Sequence, residues 1–233
     1  MIRSVGVIVP AHNEQSLLPS CLAALRHAAL ALGGMPVQLV VVADACRDRT
    51  AQIARRGGAA VIPVSARYVG AARAAGVREA LRRARPLDPA EIWLATTDAD
   101  TVVSPDWLRR QLMCADLGWD AVAGTVRVTD WAGRRSAVRA LFSQLHHSAA
   151  APRRHVHGAN LGFRASAYLA AGGFPEVPAG EDRALVAALT AAGSRVRYTR
   201  AVTVATSARR DARAPHGFGS YLARLDAEAD ATA

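Results

Sequence analysis

Asp98 and Asp100 stand one residue apart in Thr-Asp-Ala-Asp, at the end of the apolar run Ile92 to Thr97. Carboxylates at alternate positions of a strand end can point to one side, bind a hard divalent cation and so hold a diphosphate that would otherwise repel them. A solvated turn is the simpler meaning of such a pair on its own. Two more segments put polar groups at comparable places. Val7-Ile8-Val9-Pro10-Ala11-His12-Asn13-Glu14 passes from apolar to hydrogen-bonding residues, with helix capping by Asn13 as the simplest role. The run Val37 to Ala43 ends at Asp44 and leads through Asp48 to Thr50, so two neighbouring strand ends could read a base and a ribose.

Such a row of polar ends needs strands to hold it. Val5 to Pro10, Val37 to Ala43, Ala59 to Val64 and Glu91 to Thr97 read as strands. Between them, Glu14 to Leu32, Asp48 to Arg56 and Gly70 to Arg85 have helical spacing. The alternation predicts an α/β fold, a mostly parallel central sheet with helices on both faces, and a ligand site at the strands' C-terminal ends. Ser104, followed by Pro105, is expected to cap a helix through Asp116. Further on the rhythm weakens. Ala121 to Val128, Val156 to Phe163 and Arg195 to Ala205 read as strands, and Trp131 to Ala150 and Glu181 to Ala192 as helices. No repeat or linker divides the chain, which predicts one domain over residues 1–225 and a mobile tail at 226–233.

The formal net charge is +10, and every one of the 29 Lys/Arg positions is Arg, a bias that GC-rich coding explains. The arginines are dispersed and not interleaved with aromatics, which argues against nucleic acid and for anionic small ligands, with contact to a membrane surface as the second reading. Cys21, Cys46 and Cys114 lack metal or redox spacing and read as reduced thiols, which points to the cytoplasm or its membrane periphery. No signal peptide or spanning segment is expected.

Taken in order, the segments resemble the family 2 glycosyltransferases with the Rossmann-like A-type (GT-A) fold. The resemblance runs through Val9 to Glu14, Val42 to Thr50, Thr97 to Asp100, His157-Gly158-Ala159-Asn160-Leu161-Gly162-Phe163-Arg164, Gly172-Gly173-Phe174 and Gly180-Glu181-Asp182. It implies that Pro10, Ala11 and Glu14 line the nucleoside site, that Asp44 accepts a hydrogen bond from the base, and that Arg73 approaches the base or diphosphate. Asp98 then sits near the ribose, Asp100 is the principal protein ligand of Mn²⁺ or Mg²⁺, and Asp182 is the general base. The resemblance likewise divides the domain into a nucleotide-sugar half (1–103) and an acceptor half with a lid (104–225), and His157, Asn160 and Glu181 fall on the acceptor side. In Ser207 to Tyr221, Arg209 and Arg210 are expected in a lid over the diphosphate, and His216 as a further metal ligand; a basic tail is the alternative.

The activity implied is metal-dependent transfer of a sugar from a UDP- or GDP-linked donor to an unidentified hydroxyl acceptor, with inversion. Alternatives are a retaining enzyme of this fold and a non-catalytic nucleotide-sugar-binding relative. A sugar nucleotidyltransferase lacks support, because no Gly-rich phosphate loop stands near the N-terminus. Many relatives carry paired aspartates followed by Gly-Ser where this chain has Ala43-Asp44-Ala45-Cys46, which leaves one acid to read the base.

Overall fold

The computed structural model describes residues 1–131, 133–147, 156–177, 179–208 and 222–227. Arg209, Arg210 and His216, and with them residues 209–221 of the expected lid, lie outside the described residues.

Strand β1 (Ser4–Ala11) is buried along its whole length. It pairs in parallel with β2 (Val37–Asp44) on one side and β4 (Ile92–Thr96) on the other, and β3 (Ala60–Val64) extends the sheet beyond β2. Alternation along β1 sends side chains to two cores. Val5, Val7 and Val9 meet Leu18, Leu22 and Leu25 of α1 (Leu18–Leu30), with Ala54 of α2 (Thr50–Arg56) in the same core. Ile8 meets Ala72 and Ala75 of α3 (Val69–Arg83) on the opposite face. Each fully buried aliphatic side chain contributes about 1.5–3 kcal/mol. Helices therefore cover both faces, as the period-two and period-3.6 patterns predict.

The full sheet runs β3-β2-β1-β4-β7-β6-β8-β5. The chain winds from β1 to β2 and β3 on one side, and β4 then adds to the other side of β1. The loops that follow β1 and β4 therefore diverge and open a crevice at the strands' C-terminal edge.

Beyond β4 the structure departs from the sequence reading. A two-residue strand, β5 (Thr101–Val102), was not expected; it pairs antiparallel with β8 (Val196–Ser207). In place of a strand from Val156, a 3₁₀ turn (Gly158–Asn160) precedes β7 (Leu161–Arg164), which runs antiparallel to both β4 and β6 (Ala121–Asp130). An unanticipated helix, α6 (Ala165–Ala170), follows α5 (Ser136–His147), and α7 (Glu181–Ala191) matches its expected span closely. The helix α4 (Trp107–Asp116) has no side-chain cap; Ser104 donates instead to Asp106 Oδ1 at 2.5 Å.

Residues 222–227 are helical, so order continues past the expected boundary at residue 225. Leu222 and Leu225 pack with Val138, Phe142 and Ala208, and the buried Arg134 donates to Asp226. The three cysteines are free, and burial pushes the Cys21 thiol well above its ordinary value. No helix among the described residues is long and apolar enough to cross a membrane.

Candidate active site

The β1 end forms one wall of the crevice. Pro10 is tolerated in this central strand because its missing donor faces a gap. Ile8 accepts from Thr97 N on the β4 side, so by the two-residue period Pro10 faces that same side, where pairing with β4 has already ended. After Ala11 the chain turns sharply, with Asn13 at φ 53°. Asn13 does not cap a helix, since α1 starts only at Leu18. Its Oδ1 accepts from Arg47 N at 2.8 Å and clips the loop after β2. Glu14 is buried, and its N–H donates to Thr50 Oγ1 at 2.7 Å, while Asp48 accepts from Gln15 N and Thr50 N.

Asp44 is buried at the end of β2, where Oδ1 accepts from Arg67 N at 2.9 Å. Ala45 and Arg67, both left-handed and neither glycine, form the turns around it at about 1–2 kcal/mol each. His12 stands beside it: ring Nδ1 lies 2.7 Å from the Asp44 carbonyl, which can only accept, so Nδ1 carries the proton. Asn13 Nδ2 lies 3.2 Å from His12 Nε2, the acceptor in that tautomer. His12 carries no expected role in the sequence motif; a histidine at a strand end is the only local signal of its place here.

β4 supplies the second wall. Thr96 Oγ1 donates to Gly158 O at 2.6 Å, tying the strand end to the 3₁₀ turn. Asp98 and Asp100 follow, and Thr101 Oγ1 lies 3.4 Å from Asp100 Oδ1. Through β5, Thr101 pairs with Thr206, so the chain leaves β8 next to Asp100. Among the described residues no three candidate ligands converge; Asp98 and Asp100 are the two carboxylates at this strand end. That donor set fits Mg²⁺ or Mn²⁺, hard ions that take one or two carboxylates and complete their shell with phosphate oxygens and water.

Arg73 differs from the expectation. Its side chain is only 4% exposed, beneath the crevice floor, where NH2 donates to Asp98 Oδ1 at 2.6 Å and NH1 donates to Glu181. It offers no open face to a base or diphosphate. Burial alone would lower its pKa, but the carboxylates of Asp98, Glu181 and Asp182 override that and raise it. Burial pushes the Glu181 carboxyl up while Arg73 pulls it back, and Glu181 too is shut away from any acceptor.

Asp182 is half-buried, with Oδ2 accepting from Gly158 N and Oδ1 from Arg183 N, both at 2.7 Å. His157, half-buried, directly precedes that turn. Asn160 is not on the surface: its Oδ1 accepts from Trp107 Nε1, and its Nδ2 donates to the Thr125 and Val202 carbonyls. It braces α4, β6 and β8 from inside and has no polar group left for an acceptor. The structure thus brings Asp44, Asp98, Asp100 and Asp182 to one edge, with Arg73 and Glu181 beneath them and Asn160 in the core.

Comparison with known proteins bears on this edge. The family described as Glycosyl transferase family 2 matches residues 6–169. Over 130 residues the chain is 32% identical to an undecaprenyl-phosphate 4-deoxy-4-formamido-L-arabinose transferase of Pseudomonas aeruginosa, covering 54% of this chain and 36% of that protein. The chain therefore spans little over a third of that relative. Among solved structures, S. aureus TarS 1–349 in complex with UDP-GlcNAc is similar with a TM-score of 0.65 at 16% identity, over 97% of this chain and 66% of that one. The mannosyltransferase PcManGT from Pyrobaculum calidifontis, in complex with GDP-Man and Mn²⁺, gives 0.62 at 21% identity, over 98% and 74%. At these identities the likeness speaks for the fold.

Proposed function

Since this chain belongs to glycosyl transferase family 2 and has the A-type glycosyltransferase fold, we propose that it transfers a sugar from a UDP- or GDP-linked donor to an acceptor hydroxyl. The observation that carries this is the convergence of Asp44, Asp98, Asp100 and Asp182 at the one edge where the sheet topology opens a crevice.

In this reading Pro10, Ala11, His12 and Glu14 form the nucleoside wall. Asp44 Oδ2 has no partner among the described residues and accepts from the base, while Oδ1 stays fixed by the loop. Asp98 faces the ribose. Asp100, with Asp98, would hold Mg²⁺ or Mn²⁺, which when bound neutralises charge on the departing diphosphate. The acceptor hydroxyl attacks the anomeric carbon as the bond to the diphosphate oxygen breaks, and its proton passes to Asp182. That hydroxyl becomes acidic only as its new bond forms, so a held carboxylate serves better than a strong base. A single displacement inverts the anomeric centre. Segment Ser207 to Tyr221, with Arg209, Arg210 and His216, is proposed as a lid because the chain leaves β8 next to Asp100. Residues 1–103 bind donor and 104–225 bind acceptor.

The test is calorimetric titration of UDP, GDP and their sugars with and without Mn²⁺, followed by turnover with a panel of alcohol acceptors and, as a separate phosphate-oxygen acceptor, undecaprenyl phosphate, for which one relative is named. Metal-dependent binding that Asp100→Ala removes, with transfer that Asp182→Asn abolishes, supports the reading. Binding without transfer to any acceptor, and without donor hydrolysis, would favour a binding protein in which Asp182 only anchors the Gly158 turn.

A further inference from the structure

Asp182 accepts from Gly158 N and Arg183 N, and one buried side chain reaches both Gly158 and the residue that precedes Asp182. Arg73 NH1 donates to Glu181, the residue before Asp182 in the chain. The face of the same guanidinium lies against Gly158, whose N–H donates to Asp182 Oδ2 at 2.7 Å. A methyl group at Gly158 would collide with the guanidinium carbon and both terminal nitrogens, so the contact requires glycine. Gly180, left-handed at φ 77°, turns the chain so that Glu181 points down to Arg73. The remaining arm of the fork donates to Asp98 Oδ1 at 2.6 Å. One planar cation, with side-chain exposure of 4%, thus connects the strand-end carboxylate on the donor side with Gly158, which donates to Asp182, and with the residue that precedes Asp182.

We infer that Arg73 and Glu181 are positioning residues: the buried pair fixes Asp182 in relation to Asp98, and neither residue touches donor or acceptor. This rests on the proposal that Asp182 takes the acceptor's proton. Arginine suits the task because its rigid fork holds two carboxylates at set angles while its flat face seats the Gly158 peptide; lysine supplies the charge without the plane. A carboxylate displaced by about 1 Å can cost roughly 10² in rate with binding unaffected.

Steady-state kinetics of Glu181→Gln test this, because Glu181 touches Arg73 and not Asp98. The expected result is a kcat lower by roughly 10² with donor and acceptor KM each within about threefold, and no further loss when the change is added to Asp182→Asn. Arg73→Lys should lower kcat likewise and combine with Glu181→Gln non-additively. If Glu181→Gln does not fold, Arg73→Lys carries the same measurement. A raised acceptor KM with unchanged kcat would make Glu181 an acceptor contact, a raised donor KM in Arg73→Lys would make Arg73 a donor contact, and a full extra loss on Asp182→Asn would make the pair merely structural. Each of these sinks the inference and leaves the proposed activity standing. Failure of the wild-type protein to turn over any donor would instead sink the activity, and the inference with it.

Discussion

Helix α3 carries two arginine–carboxylate clusters, and they differ in almost everything but composition. On its inner face Arg73 grips Asp98 and Glu181, 25 and 108 residues away, with Arg73 and Glu181 exposed by only 4% and 5%. Near its C-terminal end Glu79 accepts from Arg82 and Arg83, its i+3 and i+4 neighbours, whose side chains are 64% and 45% exposed. The outer cluster has little but local helix geometry to stabilise, and water screens it. For the inner one, desolvation consumes much of the Coulombic gain, so stability alone is a poor reason for it to exist. A precise arrangement of groups around Asp182 is a better one.

The harshest break of the inner cluster is Arg73→Ala, which strands Glu181 without its cation in the core. A loss of about 3–5 kcal/mol is expected in urea denaturation. A loss under about 1 kcal/mol would mean that water reaches the pair freely and that the contrast between the faces is only apparent. Arg73→Met combined with Glu181→Leu sharpens the point. Removing both charges should recover most of that stability, and turnover should stay low, since nothing then sets Asp182. Recovery of both would show that any packed filling serves.

Gly158→Ala acts on the same cluster by volume. The added methyl meets the guanidinium, and overpacking of this kind costs about 1–3 kcal/mol. Differential scanning calorimetry should place it between Arg73→Ala and the outer-face variant described below. An unchanged melting temperature would show that the Gly158 turn shifts without cost and does not hold Asp182.

The two clusters also mark the limit of what the sequence discloses. Glu79, Arg82 and Arg83 are neighbours on any helix drawn through Gly70 to Arg85, so their contact is legible from spacing. So are β1 to β4, their covering helices and the polar residues at their ends, because periods of 2 and 3.6 are local. The destination of Arg73 is not, because it depends on where α7 and the Gly158 turn dock, and those depend on β7 and β5 running antiparallel in a sheet whose earlier strands are parallel. Asn160 shows the same limit: its type reads as polar surface, and only the approach of β6, β8 and α4 supplies the three partners that carry it inside. The neighbouring Leu161, Gly162 and Phe163 gave the one local hint of burial.

The smallest effect belongs to the outer cluster, where pH and salt identify its origin. Arg82, which donates twice, and Arg83 hold the Glu79 carboxyl down from its ordinary 4.5 to about 2. A folded-state pKa below the unfolded one adds stability that is complete above about 4.5 and is lost as pH falls toward about 2. Because both arginines stand in water, screening and side-chain ordering limit the contribution to roughly 0.5–1 kcal/mol. Glu79→Gln should therefore lose that much by urea denaturation at pH 7 in low salt, and less at 1 M salt, where the screening length is about 3 Å. Its difference from wild type should shrink between pH 4.5 and 2 as the wild-type carboxyl protonates. The loss from Arg73→Ala should resist salt, since solvent ions do not reach a guanidinium buried to that depth. Equal salt sensitivity in the two variants would place both clusters in the same dielectric environment and remove burial as the explanation for their difference.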